Sequence, residues 1–182
     1  MVSEAVKFTV TRRTAKSAHS ETQTHGFEVG LIGARGDRLV LATVKSFLGS
    51  RGVAVEHVTA QGGPPRFHRL YAMLNDSVVR DVVLDGACTR YGYEPEQVEF
   101  RLYVGKFAAS TKPALHADPI KAWCAAQHVG AGPIRVVDLH EVATTARRVA
   151  ASKSYRDHGA LTAIKVLEAA GMLTPTPPVG DR

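Results

Sequence analysis

Residue types capable of chemistry are most concentrated in residues 26–53, GFEVGLIGARGDRLVLATVKSFLGSRGV. Two stretches there alternate with a strand's period of two, Phe27 to Ala34 and Arg38 to Phe47, and Arg35-Gly36-Asp37 between them reads as a hairpin connection. Period two places Leu41, Thr43 and Lys45 on one face of the second arm, and Glu28, Gly30 and Ile32 on one face of the first. If the arms pair, Glu28 and Lys45 come to the same end of the sheet. A carboxylate and an amine placed together suit metal-dependent phosphodiester hydrolysis. Glu28 would hold the cation, Lys45 would orient or help to deprotonate a water, and Thr43 would add an oxygen.

Beyond the lysine, KSFLGSRG sets Ser46, Ser50 and Arg51 among glycines, the composition of a loop that approaches phosphate. Arg66 and Arg69 flank His68 a little further on and are candidate contacts to a nucleic-acid backbone. Each feature has a plainer account. A lysine at a strand end also reaches solvent and discourages edge pairing. Gly49 and Gly52 also suit a turn, and the Arg66–Arg69 stretch also suits a solvated helix face. The two accounts of Lys45 divide an enzyme from a binding or regulatory module.

The elements that must position these residues follow from the hydrophobic pattern. Residues 11–25, TRRTAKSAHSETQTH, are polar without clear periodicity and read as a short helix or a mobile loop. Val53 to Thr59 reads as a third strand. Pro64 and Pro65 open a helical region carrying Phe67, Leu70, Tyr71 and Leu74. Asn75-Asp76-Ser77 supplies a break and an N-cap for a helix through Val78, Val79, Val82 and Val83, which ends before Gly92. Gln97 to Phe107 reads as a strand in which Tyr103 packs into the core; the alternative is that Tyr103 and Arg101 stack on bases. Asp118 and Pro119 read as the N-cap and first-turn proline of a helix through Trp123 and Cys124. Ile134 to Leu139 is apolar enough for a buried strand. Helices from about His140 to Ala151 and over ALTAIKVLEAAG, stopped at Gly171, complete the pattern. Strands first, then helices and strands alternating, define an α/β fold: a mixed β-sheet flanked by helices, with two helices at the C-terminus.

The 182 residues suit one α/β domain over residues 1–173, with a disordered Pro-rich tail over 174–182. No apolar run reaches membrane-spanning length, and MVSEAVKF has no signal-peptide core, so a cytoplasmic protein without a membrane partner is expected. Cys88 and Cys124 form no CxxC pair and read as reduced, buried thiols. Spacings for structural zinc, a P-loop, a nucleophile elbow or a dinucleotide turn are absent from the sequence. The balance of 23 basic against 17 acidic residues gives +6, compatible with nucleic acid and equally with a basic solubilising surface. In the C-terminal helices, Arg147, Arg148, Lys153 and Arg156 read as a grip on a duplex or as complements to the helix dipole, and the stripe of Leu161, Ile164 and Leu167 as a docking face for a protein partner.

With Gly30 at the first-strand position, Thr43-Val44-Lys45 as the triplet closing the second strand, and Ser46 after it, the hairpin resembles the PD-(D/E)xK, or restriction-endonuclease-like, nuclease superfamily. The helix with Arg66, Arg69, Leu70 and Tyr71 before the strand VEFRLYVG continues the likeness, which covers roughly residues 20 to 110. The resemblance implies a restriction-endonuclease-like core and a DNA-binding, magnesium-dependent hydrolase or a degenerate relative that binds without cutting. Members carry acids where this chain has Gly30 and Thr43, so only Lys45 stands where that motif requires it; Glu28 would substitute as the metal ligand, with Glu21, Asp37 or Glu56 as further contributors from outside the motif. Nucleic acid is then the expected partner, through Arg51, Arg66, Arg69 and Ser46, with a homodimer as a further arrangement.

Overall fold

A computed structural model describes the backbone of residues 2–14, 21–108, 114–151 and 158–174, and their side chains apart from 12–14, 21–23 and 114. The chain forms two compact units, Met1–Val137 and Asp138–Arg182.

The first unit is built on a five-stranded mixed sheet. Strands β1 (Val2–Thr14), β2 (Glu21–Arg35) and β3 (Arg38–Lys45) form an antiparallel meander; β4 (Val98–Val104) lies parallel to β3, and β7 (Arg135–Asp138) neighbours β4, giving the order β1-β2-β3-β4-β7. A parallel neighbour needs a crossover, and the chain between β3 and β4 supplies it as helices: α1 (Val55–Thr59), α2 (Pro65–His68), a 3-10 turn (Arg69–Tyr71), α3 (Ala72–Asn75) and α4 (Ser77–Tyr91). The sequence expectation of a mixed sheet with flanking helices therefore holds, and the β2–β3 hairpin turns at Gly36-Asp37 as the pattern required. None of the described helices is long and apolar enough to cross a membrane.

On β4 the core follows strand parity, with Val98, Phe100, Leu102 and Val104 buried; on β3 Leu39 and Leu41 are buried together with Ala42 and Thr43, and the parallel ladder sets Leu39 beside Val98 and Leu41 beside Phe100. Helix α4 lays Val79, Val83 and Ala87 inward at a four-residue spacing. It is capped by the Asp76 carboxylate, which accepts the Val79 amide at 3.2 Å, and by left-handed Gly92. Gly86, inside this helix, lets β1 approach: a Cβ there would stand 2.8 Å from the Phe8 ring. The β1–β2 ribbon also turns over along its length. Val29 and Ile32 are both buried although three residues apart, and Ala5, between the paired residues Glu4 and Val6, takes φ +54°.

Several expectations are corrected. Val53 to Thr59 is not a strand: Val53 makes a single parallel bridge to Phe107, and Val55–Thr59 is helical. β3 already has β2 and β4 at its two edges, so this β-branched segment has no place beside it, and Val58 is buried from a helix instead. The polar stretch 11–25 runs as strand at both described ends, through Thr14 and from Glu21, its cross-strand pairs overriding a pattern that lacks alternation; residues 15–20 lie outside the described residues. Helix α5 (Ala114–Ala126) begins before Asp118 and takes Pro119 into its interior, so that pair is not its start. A two-residue hairpin, β5 (His128–Val129) and β6 (Gly132–Pro133), precedes β7, which is shorter than the expected strand over 134–139. Tyr103 does not enter the core. By parity it shares the opposite sheet face with Glu99 and Arg101, and its hydroxyl lies 3.4 Å from Arg101 Nη1.

The second unit pairs α6 (Leu139–Ala150), N-capped by Asp138, with α7 (Gly159–Ala169). Arg147 ties them, reaching Glu168 at 3.4 Å and donating to the Thr174 carbonyl, so this arginine serves the helix pair. Arg148 is exposed, Lys153 and Arg156 lie outside the described residues, and so does the tail beyond Thr174.

Candidate functional site at the carboxyl end of the parallel strands

Open α/β sheets bind ligands beyond the carboxyl ends of their parallel strands, and here that end is where β3 stops at Lys45 beside Val104 of β4. The two segments stay locked together past the strands. The Gly105 amide donates to the Lys45 carbonyl (2.9 Å), the Val53 amide to Lys106 (2.9 Å) and the Ala108 amide to Val53 (2.8 Å). Gly52, at φ +99°, permits this closeness, since a Cβ would stand 2.6 Å from the Phe107 carbonyl oxygen. Its role is backbone approach between protein strands. The intervening loop is tied by Ser50, whose amide donates to Phe47, and by the Lys106 amine, which donates to the Ser50 carbonyl at 3.1 Å.

Lys45 is half-buried, with its amine 5.4 Å from the centre of the Tyr71 ring. Burial pushes its pKa below the ordinary lysine value, and the same burial pushes Tyr71 well above the ordinary phenol range. Thr43 lies two residues back on the same face, with 9% exposure, beside Leu102. Glu28 is exposed on β2 and stands opposite Lys7 of β1. Continuing the β2–β3 register would carry Glu28 across from Lys45, but that ladder ends at Leu31 and Ala42. Among the described residues no ion pair joins Glu28 to Lys45, and burial is what lowers the lysine's pKa. The structure thus brings Thr43 and Lys45 together and leaves Glu28 apart.

Ser46 and Arg51 are exposed on the loop, and Arg66 and Arg69 are exposed on α2 and the 3-10 turn. The Arg66 guanidinium lies 4.8 Å from the Phe67 ring centre, and Phe67 stacks on His57 at 4.6 Å. His57 feels Glu56, His68, Arg51 and His116 around it, and its own burial is the largest influence, lowering its pKa. His68 Nε2 lies 2.6 Å from the Gly62 carbonyl, while the Asn75 amide donates to the His57 and His68 carbonyls. His116 escaped the sequence reading, and Tyr71 enters it only as a helical position. Tyr71 looks like an ordinary core position on a helix, and His116 reaches α1 from 61 residues away, a separation no local pattern encodes.

Magnesium requires several oxygen donors carrying negative charge. Thr43 offers one hydroxyl, Glu28 faces Lys7, and no group of three or more His, Cys, Asp or Glu able to hold a metal gathers among the described residues. The described surroundings of Lys45 therefore do not fit the Mg²⁺ site that the nuclease resemblance implies. Both thiols are free, Cys88 half-buried and Cys124 buried. No protein-family model, curated protein or solved structure matches this chain.

Proposed function

We propose that this chain is a nucleic-acid-processing protein whose nuclease-like core binds the phosphodiester backbone without hydrolysing it, at the carboxyl end of β3 and β4. The observation that carries this reading is Lys45: a cation seated on Tyr71 at the end of a parallel strand, with exposed Ser46 and Arg51 following it and no carboxylate of the described residues in ion-pair reach. Arg66 and Arg69 extend the basic lip, and the net charge of +6 favours a polyanion. Two free thiols suit a cytoplasmic, reducing setting.

The test is a salt series of oligonucleotide binding. Contacts from Lys45, Arg51 and Arg66 give a log K against log[salt] slope of roughly −2 to −3 on duplex, and Arg51→Ala reduces its magnitude by about 1. Absence of binding at low salt sinks the proposal. Plasmid cleavage with Mg²⁺ or Mn²⁺ that disappears in both Lys45→Ala and Glu28→Ala would restore the hydrolase instead.

A further inference from the structure

Helix α1 begins without a capping side chain of its own, because Ala54 occupies its N-cap. The first amide of the helix, Val55 N–H, donates instead to Nδ1 of His116 on α5, at 3.2 Å. That bond requires a lone pair on Nδ1, which an imidazolium does not have. The same nitrogen lies 3.9 Å from the Glu56 carboxylate, whose position suits it as acceptor once Nδ1 carries a proton. One ring atom thus has two mutually exclusive partners, the Val55 amide when neutral and Glu56 when protonated.

We propose that the α1–α5 junction is an acid-released latch. Protonation of His116 takes one proton from solvent, breaks the Val55 bond and re-pairs the ring with Glu56, freeing the start of α1 and, through Val53, the loop that carries Ser46 and Arg51. The positive charges around His57 work in the same direction, and Glu56 works against them. Arg51 on the loop, His68 on α2 and His116 on α5 all act on His57 of α1, with Glu56 the carboxylate among them; Asp118 and Lys121 are the other charged groups on α5. His57 is held below the ordinary imidazole range by burial first, with Glu56 opposing and His68, Arg51 and His116 adding to the shift. Neutral imidazole at His57 is therefore favoured by the folded state, and acidification below about 6.5 works against the packed junction.

The test is amide hydrogen exchange of residues 55–59, expressed as protection relative to the unstructured chain and compared at pH 7.5 and pH 5.5. Wild-type protection is expected to fall at least tenfold. His116→Asn places a non-titrating acceptor near the Nδ1 position and should keep most of its protection at both values. His116→Ala should show low protection at both. Constant wild-type protection, or an Asn variant that loses protection in parallel with wild type, overturns the latch. Exchange in the free protein does not depend on nucleic acid, so these outcomes stand apart from the binding test.

Discussion

Replacing Lys45 separates its packing from its charge. Lys45 is half-buried, with its amine over Tyr71; a fully buried methylene contributes about 0.8 kcal/mol, so a stem of Cγ, Cδ and Cε buried to that extent contributes roughly 1.2 kcal/mol. The amine over the ring adds about 0.5–1 kcal/mol, while burial of the charge offsets part of this total. Lys45→Ala should therefore destabilise the fold by about 1–2 kcal/mol. Lys45→Met keeps an apolar stem, has no charge to desolvate and gains a sulfur–ring contact of about 0.3–1.5 kcal/mol, so its stability should lie within about 0.5 kcal/mol of wild type. A pH series adds an independent signature. Lys45 has a folded pKa below 10.5, so between that folded value and 10.5 the unfolded chain binds the additional proton and stability rises with pH. Lys45→Met should remove that rise. Urea unfolding of the three proteins at neutral and alkaline pH measures both effects, with nucleic-acid binding as a separate readout that both variants should weaken. If Lys45→Met is as destabilising as Lys45→Ala and the alkaline rise persists in it, the lysine is not seated as described and the reasoning fails.

Two further outcomes follow from the same geometry. Gly105→Ala would place a Cβ 2.9 Å from the Ser46 Cα and closer still to its carbonyl, on backbone that cannot swing away, so a loss of at least about 2 kcal/mol is expected in urea unfolding; a neutral variant would show that β3 and β4 are not so closely locked. Cys124 is pushed up to about 12 by burial, and Cys88 is raised by burial and then by Asp85, Glu94 and Glu96, so a thiol reagent at pH 8 should modify Cys88 slowly and Cys124 only after denaturation. Rapid modification of Cys124 in the native protein would contradict its placement.

Local chemistry was legible in this sequence, and long-range arrangement was not. The β2–β3 hairpin, the Asp76 cap and the Gly92 stop of α4 could be read because each rests on neighbours within a few residues. Val53–Thr59 misled because β-branched residues suit either a strand or a short buried helix, and only the pairing of β3 with β4 decides which is free. Tyr103 looked like core since its strand is apolar on one face; the alternation that buries Phe100 and Leu102 turns Tyr103 to the other. At the site, Lys45 and Thr43 share a strand, so their shared face followed from period two. The distance from Lys45 to Glu28 depends on where a ladder ends, and the cap that His116 supplies to α1 depends on the packing of a distant helix. Neither is written in local spacing.

Binding of nucleic acid at the carboxyl end of β3 and β4 is the proposal on which the other binding predictions rest. The direct measurement is an amide chemical-shift map of the full chain titrated with a short oligonucleotide at low salt, in the absence of divalent ions. Saturable shifts centred on Lys45, Ser46, Arg51, Arg66 and Arg69, lost in Arg51→Ala, are the expected result. Shifts centred elsewhere on the fold, or none at low salt, would contradict it.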